Sequence, residues 1–302
     1  VTIKTEAVNF ALVMLTMLCV SLAHGQCPPI NTTKDSLLAL REQDFAIVDS
    51  VQRQAFAIQL IPCLQSLDPV LRDEIAFEAY SHWMRDKALS TKTMTDVFSI
   101  LMSWLPADVL DSSGVSKPFA ILVLAEVVRV DRIDPFISSS QRQEIVNAVS
   151  QYLESITDYR GFDQTVGWRH GVAHSADLVL QLSLNENIRR EQLEIMANAI
   201  VIQIAPKIEH FYLYGEGQRL ARALFYLAQR DLMSEVWWID WFTRLMVSEP
   251  NPELFQSQLG LARRHNLTGF LNAFYLYLSE NGDKKMRDMF HPMILESIVK
   301  LG

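Results

Sequence analysis

The chain has 302 residues, 49% of them hydrophobic, and a formal net charge of −8. That length and apolar content suit one large or two small globular domains with a sizeable core. The acidic balance, with Lys284-Lys285 and Arg263-Arg264 as isolated basic pairs, excludes a phosphate-backbone binder, so no nucleic-acid partner is expected.

Residues 1–25 read as a signal peptide. Lys4 lies in a short polar leader, Phe10 to Val20 is almost purely apolar, and Ser21-Leu22-Ala23-His24-Gly25 supplies small residues for cleavage after Ala23 or Gly25. The apolar run is short for a hydrocarbon core of ~30 Å. Cleavage is therefore expected, leaving a periplasmic or secreted protein with no permanent membrane span and residues 26–302 as a single all-helical domain. Loss of the leader removes Cys19 and leaves Cys27 and Cys63. In an oxidising compartment these two can form one disulfide that ties the N-terminus to an early helix. The alternative is a buried free Cys63 and a mobile Cys27.

Helical periodicity runs from Asp35 onward. Asp68-Pro69 supplies a cap and first turn for a helix through Asp86, with Val70, Ile75, Ala79 and Trp83 on its buried stripe. Ser90 to Leu105 repeats the pattern and Pro106 stops it. Further helices are expected at 117–130, 140–156, 167–183, 188–205, 216–229, 233–247, 252–279 and 284–300, with no convincing period-2 strand. Short, Gly-poor connections imply antiparallel helix pairs, and hence an all-α fold. An α-solenoid of the HEAT-like kind and an α/α-toroid both fit, because no strict repeat period decides between them. Asp111-Ser112-Ser113-Gly114 is the most plausible internal boundary.

The densest polar constellation lies in Gly167 to Asp177. On a helix, with His170 at zero, His174 falls at about 40°, Asp177 at about 340° and Gln181 at about 20°. Apolar residues fill the rest of the circumference, so the helix should be buried on most sides with one line of His, His, Asp and Gln. Trp168, Arg160, Asp163 and Arg219 join that line as candidate pocket residues. His170 and His174 at i and i+4 can both reach one zinc ion, with Asp177 as third ligand or as orienter of an imidazole. Gly171 stands where the zincin motif carries its base, so Glu216 or Glu209 would have to serve instead. The competing reading makes the line simply the polar side of an amphipathic helix, and Asp158 to Asp163 a plain connecting turn. Trp237, Trp238 and Trp241 could stack on sugars, although core packing is the favoured use. No Gly-x-Ser-x-Gly elbow, phosphate loop, Cys-x-x-Cys pair or dinucleotide fingerprint occurs.

The run Tyr159-Arg160-Gly161 through Gly167-Trp168-x-His170-x-x-Ala173-His174-x-Ala176-Asp177-Leu178 resembles the bacterial Domain of Unknown Function 2785 family. Gly215-Glu216-x-Gln218-Arg219-Leu220-Ala221 is similar to that family's second hallmark. The resemblance spans roughly Asp68 to Met246 and implies a helical fold, with no activity to carry over. Arg169 departs from the expected small residue, and Gly217-Gln218 stands where acidic character is common. The leading expectation is an exported binding or interaction scaffold with a His/His/Asp-lined pocket, its partner a protein, a small molecule or a glycan. The alternatives are a zinc-dependent hydrolase using Glu216 as base, and a glycan-active toroid using Asp163 or Glu216 with the tryptophans.

Overall fold

The structure, a computed structural model, describes residues 26–246 and 254–302. The leader expected at 1–25 lies outside the described residues. Polar caps open many of the helices: Thr33 caps α1 (Lys34–Arg41), Asp49 caps α2 (Ser50–Leu60) and Ser90 caps α4 (Thr91–Met102). Each cap satisfies an N–H that the first helical turn leaves without a partner. A 3₁₀ turn, Ile61–Gln65, extends α2. Helix α3 joins a π-wound segment, Val70–Phe77, to an α-helical one, Glu78–Arg85.

Next come α5 (Ser116–Ile133) and α6 (Ser139–Ser155), a two-stranded hairpin of β1 (Phe162–Asp163) and β2 (Gly167–Trp168), and α7 (Gly171–Ser183). The chain continues as α8 (Arg190–Ile204), α9 (Glu216–Gln229), α10 (Glu235–Met246), α11 (Gln258–Asn281) and α12 (Lys284–Leu301). Helices α3, α5, α7, α9 and α11 lie side by side in that order, while α6 and α8 pack on each other and back them. Among the described residues, no substantial contact returns α11 or α12 to α1 or α3. The helix pairs thus form an open array of neighbours, as in a solenoid, rather than a closed toroid. The fold is all-α as expected, and no helix among the described residues is long and apolar enough to cross a membrane.

Two expectations change. Residues 167–170 are not helical: β2 takes the first two, and α7 starts only at Gly171. Residues 254–257, expected within a helix over 252–279, precede α11, which starts at Gln258. The Asp111–Gly114 stretch is held by hydrogen bonds on both sides. Asp111 accepts the backbone N–H groups of Gly114 and Lys117 at 3.0 and 2.8 Å, and the Ser113 carbonyl accepts Arg169 Nε at 3.1 Å. Cys27 and Cys63 are joined in a disulfide, with Cα atoms 5.0 Å apart. The three tryptophans belong to packing: Trp238 and Trp241 are buried, and Trp241 Nε1 donates to the Ala197 carbonyl at 3.1 Å.

Candidate functional site

The hairpin before α7 positions the polar residues. Phe162 pairs with Trp168 and Asp163 with Gly167. Asp163 Oδ1 closes the turn by accepting the N–H groups of Thr165 and Val166 at 2.9 and 2.6 Å. Gly167 has φ +74°, and a Cβ there would lie 2.8 Å from Pro69 Cβ, so the turn needs glycine twice over. Pairing extends past the strands, with Arg169 N–H donating to the Gly161 carbonyl at 2.9 Å. His170 then adopts φ 55° and ψ 35°, a left-handed conformation costing a non-glycine residue roughly 1–2 kcal/mol. That twist swings the chain from hairpin into α7, and the His170 carbonyl accepts the His174 N–H at 2.9 Å.

Arg72, from α3, locks the hairpin down. It is fully buried. Its guanidinium donates to the carbonyls of Ser66 at 2.8 Å, Val166 at 2.6 Å and Trp168 at 3.1 Å. Its Nε sits 2.7 Å from Asp73 Oδ1, and its cationic centre lies 4.5 Å from the Phe119 ring centroid. One side chain thereby fixes α3, the hairpin and α5 relative to each other.

Between these elements lies a cleft of about 600 Å³. Its walls take Asp73, Phe77 and Arg85 from α3, Phe119, Leu122, Glu126 and Arg129 from α5, and His174, Asp177 and Gln181 from α7. Trp168, His170, Tyr214, Arg219 and Arg222 also line it. Trp168 stands edge-on to His170, ring centroids 4.4 Å apart, and to Tyr214 at 5.6 Å. Phe119 meets His174 edge-on at 5.2 Å. Three ion pairs lie along the walls: Arg72–Asp73, Arg85–Glu126 and Arg219–Asp177.

Both histidines are neutral. Burial, helped by the Arg219 charge, holds His170 down at about 4, and burial holds His174 well below the usual imidazole range. His174 Nδ1 lies 3.1 Å from the Pro118 carbonyl, which can only accept, so Nδ1 carries the proton and Nε2 keeps its lone pair. His170 Nε2 is buried and has no hydrogen-bond partner among the described residues. Burial also raises Asp177 against the opposing pull of Arg219, and raises Asp73 to about 6 against Arg72.

The expected residues therefore separate into two groups. Trp168, His170, His174, Asp177, Gln181 and Arg219 all line the cleft. Arg160, Asp163 and Glu216 do not. Arg160 pairs with Asp158, and Asp163 pairs with Arg169, which explains the large cation at a position where a small residue was expected. Glu216 is buried and spends Oε2 on the Tyr214 N–H at 2.9 Å, away from the proposed role of base. The ring centroids of His170 and His174 lie 5.9 Å apart. Among the described residues, no three His, Cys, Asp or Glu side chains are grouped to hold a metal ion. His170 leaves the helical line through its left-handed backbone, and Asp177 is engaged by Arg219. Gln181 accepts from Arg132 Nε at 2.9 Å. Sequence reasoning missed Arg72, Asp73, Glu126, Arg129 and Tyr214. The usable signal was in α5, where Glu126 and Arg129 interrupt an otherwise apolar run at the same helical spacing as Phe119 and Leu122.

The cleft's titrations act on stability in opposite directions. The unfolded chain takes up His170's proton near 6.5 and the folded chain only near 4. This contribution is fully present above pH 6.5 and is lost as pH falls toward 4, by about 3 kcal/mol. His174 acts in the same sense. Asp73 does the reverse: its folded value of about 6 exceeds 3.8, so its contribution grows as pH falls between those values, by about 3 kcal/mol. A His170→Gln variant should therefore lose less stability on acidification than the parent, read from urea midpoints between pH 7 and 4.5. Identical pH slopes would show that His170 is not held neutral.

A family model described as "Protein of unknown function (DUF2785)" matches residues 111–276, more than half of the chain. The match contains the hairpin, α7 and the Gly215–Ala221 run but not α3, so Arg72 and Asp73 fall outside it. Neither a curated protein nor a solved structure matches the chain.

Proposed function

This chain belongs to the DUF2785 family, and we propose that it is a binding protein whose cleft takes a small molecule on His170. The observation that carries this reading is the imidazole nitrogen Nε2, buried in the cleft wall without a hydrogen-bond partner among the described residues. Leaving a buried polar atom unmade costs roughly 1–3 kcal/mol, and such atoms are few in folded proteins. Here the cost adds to the left-handed backbone of the same residue, strain of a kind that concentrates at ligand sites. A cleft of about 600 Å³, part aromatic and part polar, is of the size that small-molecule sites occupy.

The partners already taken favour binding over catalysis. Each carboxylate lining the cleft has an arginine against it. The disulfide supports an oxidising compartment, so a periplasmic or secreted location is part of the same reading.

The test is a fragment screen of the oxidised protein, monitored by the ¹⁵N resonances of its histidine side chains. Ligands of the cleft should shift His170 Nε2 and His174 Nε2 together, and His170→Ala should weaken them by about tenfold or more, as expected for a buried hydrogen bond. If no fragment moves the His170 signals at millimolar concentration, the proposal fails.

A further inference from the structure

The cleft has a direction. Arg72 lies over Phe119 and Arg85 pairs with Glu126; Phe119 meets His174 and Arg132 bonds Gln181. Arg219 pairs with Asp177, and Arg230 reaches the Ser183 carbonyl at 3.0 Å. Contacts that advance together along both helices of each pair mean that α3, α5, α7 and α9 run parallel across the cleft. Their amino-terminal ends meet at the hairpin. From Phe119 to Arg129 the rise is roughly 15 Å, which sets the length of the groove.

The two ends differ in chemistry. The hairpin end is made of Trp168, Tyr214, Phe119 and Phe77 around two neutral imidazoles. Trp168 and Tyr214 each keep about 40% of their surface exposed, unlike the ring of Phe119. Toward the other end the polar residues are predominantly cationic. The carboxylates of Glu126 and Asp177 are already neutralised by Arg85 and Arg219. Arg129 and Arg222 also line this end, and among the described residues neither makes a hydrogen bond or close ion pair; Arg222 is exposed and acts on the Asp177 carboxylate only at longer range. Arg132, one turn beyond, donates to the uncharged Gln181 oxygen. Guanidinium groups without an acceptor in a partly enclosed groove select for anionic oxygen, because the planar fork matches a carboxylate or phosphate.

We infer that the ligand is a small aromatic acid, with its flat body among Trp168, Tyr214 and Phe119 and its anionic head on Arg129 and Arg222. This inference rests on the cleft being a ligand site, as proposed above. The body covers the unpartnered His170 nitrogen, and a polar atom of the body there would complete its hydrogen bond. A carboxylate and a phosphate monoester share the head-group chemistry and differ in charge and size.

The experiment titrates the intact, oxidised protein with 2-naphthoate, 2-naphthyl phosphate and the uncharged 2-naphthamide by calorimetry. At least one acid should bind about tenfold or more tightly than the amide, as expected for a charge-assisted pair of hydrogen bonds. The acid that binds more tightly identifies the head group. In an Arg129→Gln/Arg222→Gln double variant, shown to be folded by its circular dichroism, the preference for acid over amide should disappear. His170→Ala should weaken acid and amide alike and leave the preference intact. An amide that binds as well as both acids overturns the inference, as does the absence of binding by either acid. Neutral or cationic fragments that shift His170 while acids do not would overturn it too, yet leave the binding site itself standing.

Discussion

Arg72→Met is expected to destabilise the protein by about 3–5 kcal/mol, the range for removing one partner of a buried ion pair. Arg72 is buried completely, and its loss strands three carbonyls, those of Ser66, Val166 and Trp168. It also leaves Asp73 beside a hole where its counter-ion had been. Methionine keeps most of the apolar stem over Phe119 but supplies no donor. The hairpin then loses both Arg72 hydrogen bonds and keeps only the Asp73 contact with the Trp168 backbone as a polar tether to α3 among the described residues, so Trp168 and His170 should be held less firmly. Urea denaturation at pH 7 measures the first effect, and the ¹⁵N signals of His170 report the second. Adding Asp73→Asn should recover part of the loss, because it removes the unpaired charge and leaves only the orphaned carbonyls. A cost below about 1 kcal/mol would show that the hairpin docks without Arg72, since that is the scale of a single ordinary hydrogen bond.

The second large effect concerns the disulfide. Cys27 and Cys63 are separated by 36 positions. Closing a loop of that length should stabilise the fold by about 3–4 kcal/mol through the unfolded chain's lost entropy. The double variant Cys27→Ala/Cys63→Ala should therefore melt roughly 10 °C below the oxidised parent. Cys63 is fully buried at the end of α2, so the single variant Cys63→Ala should give a similar fall with a small added cavity cost. The oxidised and reduced parent proteins, compared by calorimetry, isolate the crosslink from that cavity. Equal melting temperatures in the two states would mean that residues 27–33 hold their place without it.

Much of the fold was readable from local pattern. Ser90, Ser138 and Asp283 cap the helices they precede, and apolar stripes at i, i+3 and i+4 place α4, α5 and α9 within a few residues. These signals are short-range: a cap and a stripe act within one or two turns of the chain. The local error nearest the cleft was at 167–170. Gly167 and His170 both hold positive φ, and helical periodicity carries no warning that a histidine will take a left-handed conformation. Pro69 and Arg72, the neighbours that crowd the turn at Gly167, come from a distant part of the chain.

The polar run from Trp168 to Gln181 remained the centre of the candidate site, although its geometry changed. Asp177 and Gln181 do lie on the one face of α7 that escapes full burial, a consequence of the 3.6-residue turn alone. Their partners could not be read in the same way. Arg219 is 42 positions from Asp177, Arg132 is 49 from Gln181, and Arg72 is 96 from Trp168. Glu216 illustrates the opposite case: it sits near the run in composition and motif, yet its carboxylate serves the backbone of its own loop.

By itself, then, the sequence determined an all-helical chain, its helix starts, the two cysteines able to pair, and one helix that is apolar except along a polar line. Each of these depends on residues close together in the chain or on composition. The tertiary structure alone decided that the helices form an open array, that the His170 and His174 rings come within 5.9 Å of each other, and that a buried arginine holds the hairpin. It also decided which arginines have an acceptor and which face the cleft without one. Charge compensation and burial are properties of neighbours in space, and here those neighbours come from four helices far apart in the chain.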